Sequence, residues 1–222
     1  DYNFIGALDS YKTKLKTVDY SFAYAKQINE DVRLGASLVY QTADIEQGKL
    51  VSSLLIGSSS TSTATLKGDS TEFGLTLGMQ IDLDSGGVLG VAYKKGTKQE
   101  IKGTNTVTVD FGLPVPGVGA IPIAAGTYNA GGKLNLPSML SVSLIAPISD
   151  STNLMFDVTR YGWSSYEKLA VTTDWGGLLG SQVSEAAQNY SDTTAFSLGA
   201  EHDYGNGYVA RAGDHLAPTP TN

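Results

Sequence analysis

The segment Phe73-Gly-Leu-Thr-Leu-Gly-Met-Gln-Ile-Asp-Leu83 places an apolar side chain at every second position, and Gly, Thr, Gln and Asp fill the positions between. Strict alternation over this length is typical of a β-strand with one apolar and one polar face, and not of a helix. The pattern recurs from Val32 to Gln41, with Val39 as an exception, and again at 140–146 and 196–204. The chain is therefore predicted to be all-β.

The predicted strands are long and are joined by alternating short and long connections. Eight strands are predicted, at residues 18–27, 31–46, 69–83, 88–102, 134–148, 153–170, 191–204 and 207–216. Several exceed the length usual in globular sheets and reach the roughly nine to eleven residues that cross a bilayer at a tilt. Short turns with Asn, Asp or Gly alternate with long connections at 47–68, 103–133 and 171–190. This alternation predicts a transmembrane antiparallel up-and-down β-barrel with its long loops outside the cell.

Composition indicates which strand face meets lipid. Charged residues make up 17% of the chain, with 26 Gly and 12 Tyr, whereas soluble domains usually carry roughly 25% charged residues. The polar strand faces hold mostly Gly, Ser and Thr, while a soluble surface would carry more Lys and Glu. We therefore expect the apolar face to contact lipid and the polar face to line the lumen. A soluble lipid-binding barrel with the opposite orientation is the alternative.

Several function classes are disfavoured by the residue inventory. The net charge of −7 and the lack of a Lys/Arg cluster argue against a nucleic-acid partner. The chain has no cysteine, and its two histidines have no further ligands at zinc-site spacing. Neither histidine is placed to activate a serine. We predict no enzyme activity, no cofactor and no metal site.

The connection from Phe111 to Gly132 is uncharged but carries Pro114, Pro116 and Pro122, which exclude a spanning helix. Exposed apolar patches normally mark binding sites. We predict a groove between this loop and one helical turn of the preceding long loop, where acyl chains gain about 0.8 kcal/mol per buried CH₂. The alternative is that the two loops only pack against each other. The predicted groove residues are Phe111, Leu113, Val115, Val118, Ile121 and Ile123 with Leu50, Val51, Leu54, Leu55 and Ile56.

Alternation also predicts which charges face the lumen. They are Arg33, Glu72, Asp82, Lys94, Asp157, Glu201 and Arg211. A fatty-acid carboxylate needs a cationic partner, for which Arg33, Lys94 and Arg211 are the candidates. The alternative is that these charges pair across strands. Arg160 shares the parity of the lipid-facing residues unless a bulge at Gly162 resets it, and both placements stay open.

Four segments occur in a distinctive order: Phe111–Pro116, Leu134–Met139, Phe156–Tyr166, and Arg211–Gly213 followed by Ala217–Pro220. Their order and spacing resemble the FadL-like family of outer-membrane long-chain fatty-acid and aromatic-hydrocarbon transporters. The resemblance covers nearly all of residues 14–222. It implies a fourteen-stranded barrel plugged by an N-terminal hatch, with substrate caught by apolar outer loops and released through a gap in the wall.

We therefore expect residues 1–222 to form one partial barrel domain of about eight strands, without the hatch and the last strands. The expected function is uptake of hydrophobic small molecules, fatty acids or aromatic hydrocarbons, across the bacterial outer membrane. The expected partners are that substrate, outer-membrane lipid and lipopolysaccharide, and the expected state is a monomer. A general diffusion porin or a structural outer-membrane barrel is the alternative.

Overall fold

A computed structural model describes residues 11–52, 61–108, 111–115, 117, 119–177 and 179–221. These residues form fourteen strands and one short 3-10 turn, Trp163–Ser165, so the all-β prediction is confirmed. No helix in the described ranges has the length and apolar character needed to cross a membrane. The strands are β1 (Lys12–Gln27), β2 (Val32–Ser52), β3 (Thr61–Asp82), β4 (Val88–Lys94), β5 (Lys98–Val107), β6 (Phe111–Val115), β7 (Gly119–Ile123), β8 (Gly126–Asn135), β9 (Met139–Ser149), β10 (Thr152–Tyr161), β11 (Lys168–Asp174), β12 (Ser181–Ala187), β13 (Thr193–Asp203) and β14 (Val209–Leu216).

Twelve of these strands make one antiparallel sheet, and β6 and β7 form a separate hairpin. The long strand β3 pairs with β2 on one side and, on the other, with β4 near its end and β5 near its start. From β3 the sheet therefore continues in two tiers. The lower sheet follows the order β3-β4-β9-β10-β13-β14, and the upper sheet the order β3-β5-β8-β11-β12. On the other side of β3, β2 and β1 run through both tiers.

The two tiers arise because four successive passes of the chain are interrupted. The interruptions lie at 95–97, 136–138, 162–167 and 188–192. Backbone hydrogen bonds join all four in series: Leu136 N donates to Thr97 O (2.8 Å), Gly162 N donates to Ser138 O (2.9 Å) and Gln188 N donates to Glu167 O (2.7 Å). The described chain thus makes eight up-and-down passes, and each of the eight predicted strands contains observed strand residues.

Where they are described, the long outer loops predicted at 47–68, 103–133 and 171–190 consist largely of strands. β2 continues to Ser52, β3 begins at Thr61, and the upper-sheet strands occupy much of the other two ranges. Beyond the lipid-facing apolar band, the outward-facing positions are charged or polar. The alternation of apolar and polar residues therefore ends there, although the strands continue to pair. The predicted helical turn is also wrong where it is described, because Leu50 and Val51 lie in β2. Leu54, Leu55 and Ile56 lie outside the described residues.

The lower sheet has one exposed apolar face and one polar face whose side chains contact one another. Phe22 is 78% exposed, Phe73 68% and Leu198 61%, as expected for side chains that meet lipid. Aromatic rings contact each other across this outer face, with centroids 5.4 Å apart for Tyr40 and Phe73. On the opposite, inner face Arg33 bonds to Asp82. The predicted orientation of the two faces therefore agrees with the burial of the side chains.

In the upper sheet, the outer face carries charges in place of apolar side chains. Facing outward here are Lys12, Lys14 and Lys16 of β1, Asp44 and Glu46 of β2, and Lys67 and Asp69 of β3. Lys12 and Lys67 both form ion pairs with Glu46, at 2.8 and 3.6 Å. The change from apolar to charged marks the upper limit of the lipid-facing band.

Candidate functional site

A belt of hydrogen-bonded polar side chains crosses the inner face at the level of the first interruption. Gln99 is fully buried, at 0% exposure. Its Nε2 donates to Gln41 Oε1 (2.7 Å), and its Oε1 accepts from Ser70 Oγ (2.7 Å). Thr97 Oγ1 also donates to Gln41 Oε1 (2.6 Å), and Gln41 Nε2 donates to Asp19 Oδ1 (2.6 Å). We call Asp19, Gln41, Ser70, Lys94, Thr97 and Gln99 the polar belt.

All three cations predicted to bind a carboxylate already have acidic partners in the chain. Arg33 forms a bidentate pair with Asp82, at 2.8 and 2.7 Å. Lys94 Nζ lies 2.5 Å from Asp19 Oδ2, and Arg211 Nε lies 2.5 Å from Glu201 Oε2. These contacts match the alternative in which lumen charges pair across strands, so the three cations are poorly placed to hold a ligand.

The structure also places Glu72, Asp157 and Arg160. Glu72 lies opposite Gln41 and shares its inner face. Asp157 accepts hydrogen bonds from Ser143 Oγ (2.6 Å) and Thr159 Oγ1 (2.9 Å) on the inner face. Arg160 points to the outer face, where its Nη2 donates to Asp192 Oδ2 (3.0 Å). The chain breaks at Gly162 only after Arg160, so that interruption does not reset its parity.

A lower apolar cluster lies on the inner face directly beyond the polar belt. Ile45, Ile101 and Leu134, from β2, β5 and β8, are 6%, 4% and 3% exposed. Leu136 and Tyr166 pack against them. Burial, with a smaller contribution from Tyr190, raises the pKa of Tyr166, because the phenolate is poorly solvated there.

An upper apolar cluster lies farther along the same face. Ala64 and Val107 are buried against Ile123 of β7, so the β6–β7 hairpin folds back onto the upper sheet. Also packed against this cluster are Leu113, Tyr128, Trp175 and Leu179. Leu66 of β3, which is 6% exposed, lies between the levels of the two clusters, two positions from Ala64 and two from Gly68, which is opposite Ile45.

The structure brings only part of the predicted groove together. Leu113 and Ile123 pack on the upper cluster, and in the hairpin Leu113 lies opposite Ile121 and Val115 opposite Gly119. Ile121 and Val115 remain partly exposed. Phe111 lies opposite Ile123 in the register, and Val118 lies outside the described residues.

The expected contact between Leu50 and the hairpin is wrong. Leu50 lies opposite Thr63, whereas its neighbour Lys49 lies opposite the buried Ala64. Residues paired across an antiparallel ladder share a face, so Leu50 points away from the upper cluster. The hairpin packs instead on Ala64 and Val107, which the sequence analysis did not predict. The alternation in β5 could have indicated its buried face, which is Gln99, Ile101, Asn105 and Val107, against the exposed Lys98, Glu100, Lys102 and Thr106.

Similar proteins share this architecture. A crystal structure of a FadL homologue from Pseudomonas aeruginosa matches with a TM-score of 0.86 at 19% identity, covering 100% of this chain and 54% of that chain. The toluene transporter TbuX of Ralstonia pickettii matches with a TM-score of 0.74 at 19% identity, over 93% of this chain and 56% of that chain. At these identities the likeness establishes the fold.

Sequence comparison establishes the family. The chain is 25% identical over 239 aligned residues to a long-chain fatty acid transport protein of Escherichia coli O6:H1 (strain CFT073), covering 95% of this chain and 51% of the relative. It thus spans about half the length of that relative. The family model for outer membrane protein transport proteins (OMPP1/FadL/TodX) matches residues 1–222. The chain therefore belongs to the OMPP1/FadL/TodX family of transport β-barrels in the bacterial outer membrane.

Proposed function

We propose that this chain forms part of a barrel that takes up hydrophobic small molecules, such as long-chain fatty acids or aromatic hydrocarbons. Molecules are caught on the apolar inner surface above the membrane and then pass through the barrel. The observation that carries the proposal is the change in the inner face along the barrel. It is apolar at the upper and lower clusters and polar at the belt and below.

The apolar inner surface provides the driving force for capture. Each CH₂ group that leaves water for such a surface contributes about 0.8 kcal/mol, so long chains bind far better than short ones. Apolar compounds without a charged group gain in the same way. The names of the relatives, a fatty acid transport protein and a toluene transporter, support both ligand classes.

The paired lumen charges favour this proposal over a general diffusion porin. Selective pores are lined by rings of charged side chains, but Arg33, Lys94 and Arg211 are each paired with a carboxylate. We further propose that lipid covers the apolar band, that lipopolysaccharide contacts the charged outer face above it, and that the barrel acts as a monomer.

The test is uptake of radiolabelled oleate by cells whose own fatty-acid uptake has been deleted and which express the full-length protein. Ile121→Asp places a carboxylate at the partly exposed apolar surface of the hairpin, and we expect uptake to fall at least about tenfold. Val183→Asp is the matched control, because Val183 is 60% exposed and lies on the outer face of β12.

Equal amounts of each variant in the outer membrane must be confirmed by heat-modifiable migration in electrophoresis. Uptake that is lost with Ile121→Asp and kept with Val183→Asp supports capture at the upper cluster. Full uptake by the Ile121→Asp variant would exclude the hairpin as part of the route.

A further inference from the structure

We propose that Lys49 is the group that binds the carboxylate of an acidic ligand, at the outer end of the apolar inner surface. This assignment rests on the proposed uptake function and adds a preference for fatty acids over neutral hydrocarbons. It also replaces Arg33, Lys94 and Arg211 as the cations that meet the ligand.

The first support is the position of Lys49. It lies opposite Ala64 in the β2–β3 ladder, and Ala64 lies opposite Val107 in the β3–β5 ladder. All three positions therefore share the inner face, and Ala64 and Val107 are the buried sheet residues of the upper cluster. Lys49 follows Tyr40 of the apolar band by nine positions, or about 30 Å of strand, so it lies outside the membrane.

The second support is that no charged partner of Lys49 lies among the residues that the structure describes. Within the ranges that the structure describes, Lys49 has neither a salt bridge nor a side-chain hydrogen bond. No carboxylate faces it from the neighbouring inner positions of β2, β3, β5 and β8. Those positions hold Gln47, Ala64, Leu66, Asn105, Val107 and Tyr128.

Burial without a partner has an electrostatic consequence. Desolvation lowers the pKa of Lys49 below its ordinary value, because the ammonium loses water without gaining an opposite charge. A bound carboxylate supplies that charge and forms a charge-assisted hydrogen bond. The site is therefore one in which an anion with an apolar tail satisfies both the cation and its apolar surroundings.

The geometry also gives the tail a path. Ile45 of the lower cluster lies four positions from Lys49 on the same face of β2, a separation of about 13 Å. Leu66 of β3 lies opposite Gln47, between the levels of Lys49 and Ile45. An acyl chain whose carboxylate is held at Lys49 can extend along the inner face past Leu66 towards Ile45.

The experiment measures binding of dodecanoic acid and 1-dodecanol to the full-length protein in detergent. The two ligands share a tail and differ in the charge of the head. Lys49→Met keeps the apolar stem, and we expect it to weaken binding of the acid roughly ten- to hundredfold while leaving the alcohol unchanged. Lys14→Met, an exposed lysine on the outer face at a similar height, should change neither affinity.

Charge reversal supplies a readout that a structural role would not produce. Lys49→Glu should lose the acid and gain affinity for dodecylamine, whereas Lys49→Arg should retain the acid. If Lys49→Met leaves the ratio of the affinities for acid and alcohol unchanged, the assignment of Lys49 is overturned and the proposed uptake function is not affected. Failure of the unaltered protein to bind either ligand would overturn the assignment of Lys49 and, with it, the long-chain fatty acids of the proposed function.

Discussion

The polar belt makes a quantitative prediction about stability. Replacing Gln99 by leucine removes its bond to Gln41, worth about 1 kcal/mol, and leaves the Ser70 hydroxyl without its acceptor, which costs about 1–3 kcal/mol more. Both bonds are 2.7 Å long, and Gln99 is 0% exposed, so water cannot take over either role. We expect the free energy of unfolding to fall by about 2–4 kcal/mol.

The assay is urea unfolding of the full-length protein in lipid vesicles, followed by tryptophan fluorescence. Gln47→Leu is the matched control, because Gln47 faces the same surface, is partly exposed and makes no side-chain hydrogen bond within the described residues. Its unfolding free energy should change by less than about 0.5 kcal/mol. A loss of the same small size for Gln99→Leu would refute the account of the belt.

A double-mutant cycle identifies the source of the loss. Ser70→Ala removes the hydroxyl that Gln99→Leu leaves without an acceptor. The double variant should therefore be more stable than the sum of the two single losses predicts, by about 1 kcal/mol or more. Strict additivity would mean that the two side chains do not interact.

Two further predictions concern the upper sheet and its junction. Gly103→Ala should destabilise the protein by about 1–3 kcal/mol, because the added Cβ would lie 1.9 Å from the backbone oxygen of Lys67. Gly90→Ala is the control and should be tolerated, because the nearest atom to its added Cβ is 3.9 Å away. Thermal unfolding compares the two variants, and equal stability would contradict the close approach of β3 and β5. The pKa of Asp192 is lowered chiefly by the backbone hydrogen bond from Ser164, so stability from this contact is present at neutral pH and is lost as the pH falls through that lowered pKa. Asp192→Asn should flatten this acid-side loss in unfolding experiments from pH 7 down to acidic pH, and an unchanged pH profile would argue against the contact.

The sequence was sufficient for the lipid-facing part of the fold. Residues such as Phe73, Leu75 and Leu77 alternate with small and polar ones, and this pattern alone places them on an exposed face opposite a polar one. The short turns could also be predicted from their Asn, Asp and Gly residues. In the turn after β1, for example, Asn29 Oδ1 accepts the backbone N–H groups of Asp31 and Val32.

The upper sheet was not predicted because the interruptions shift the alternation. Lys94 and Gln99 both face inward although they are five positions apart, and inward residues in an unbroken strand are separated by an even number. An extra residue at the break accounts for the difference, as in a β-bulge. A continuous strand over 88–102 therefore assigns wrong faces beyond the break and hides the lower apolar cluster.

The residues proposed to contact the ligand could be predicted only in part from the sequence, for a related reason. Leu113 and Ile123 were found because they stand in an uncharged loop, but their neighbours Ala64 and Val107 come from strands whose pairing no local pattern specifies. Likewise, whether a cation is already neutralised depends on residues far away in the chain. Arg33 and Asp82 are 49 positions apart, and only the fold shows that they meet.

Because the four interruptions lie side by side, the sequence of the upper sheet can change independently of the sequence of the lower sheet. A one-residue insertion or deletion inverts the faces of every position up to the next irregularity, and the breaks at 95–97 and 136–138 end that inversion before it reaches the lipid-facing strands. Insertions or deletions in the upper sheet therefore leave the inward and outward faces of the lipid-facing lower sheet unchanged. A library of altered ligand preferences could therefore be built in β5, β8 and the β6–β7 hairpin while the membrane-embedded half is kept constant.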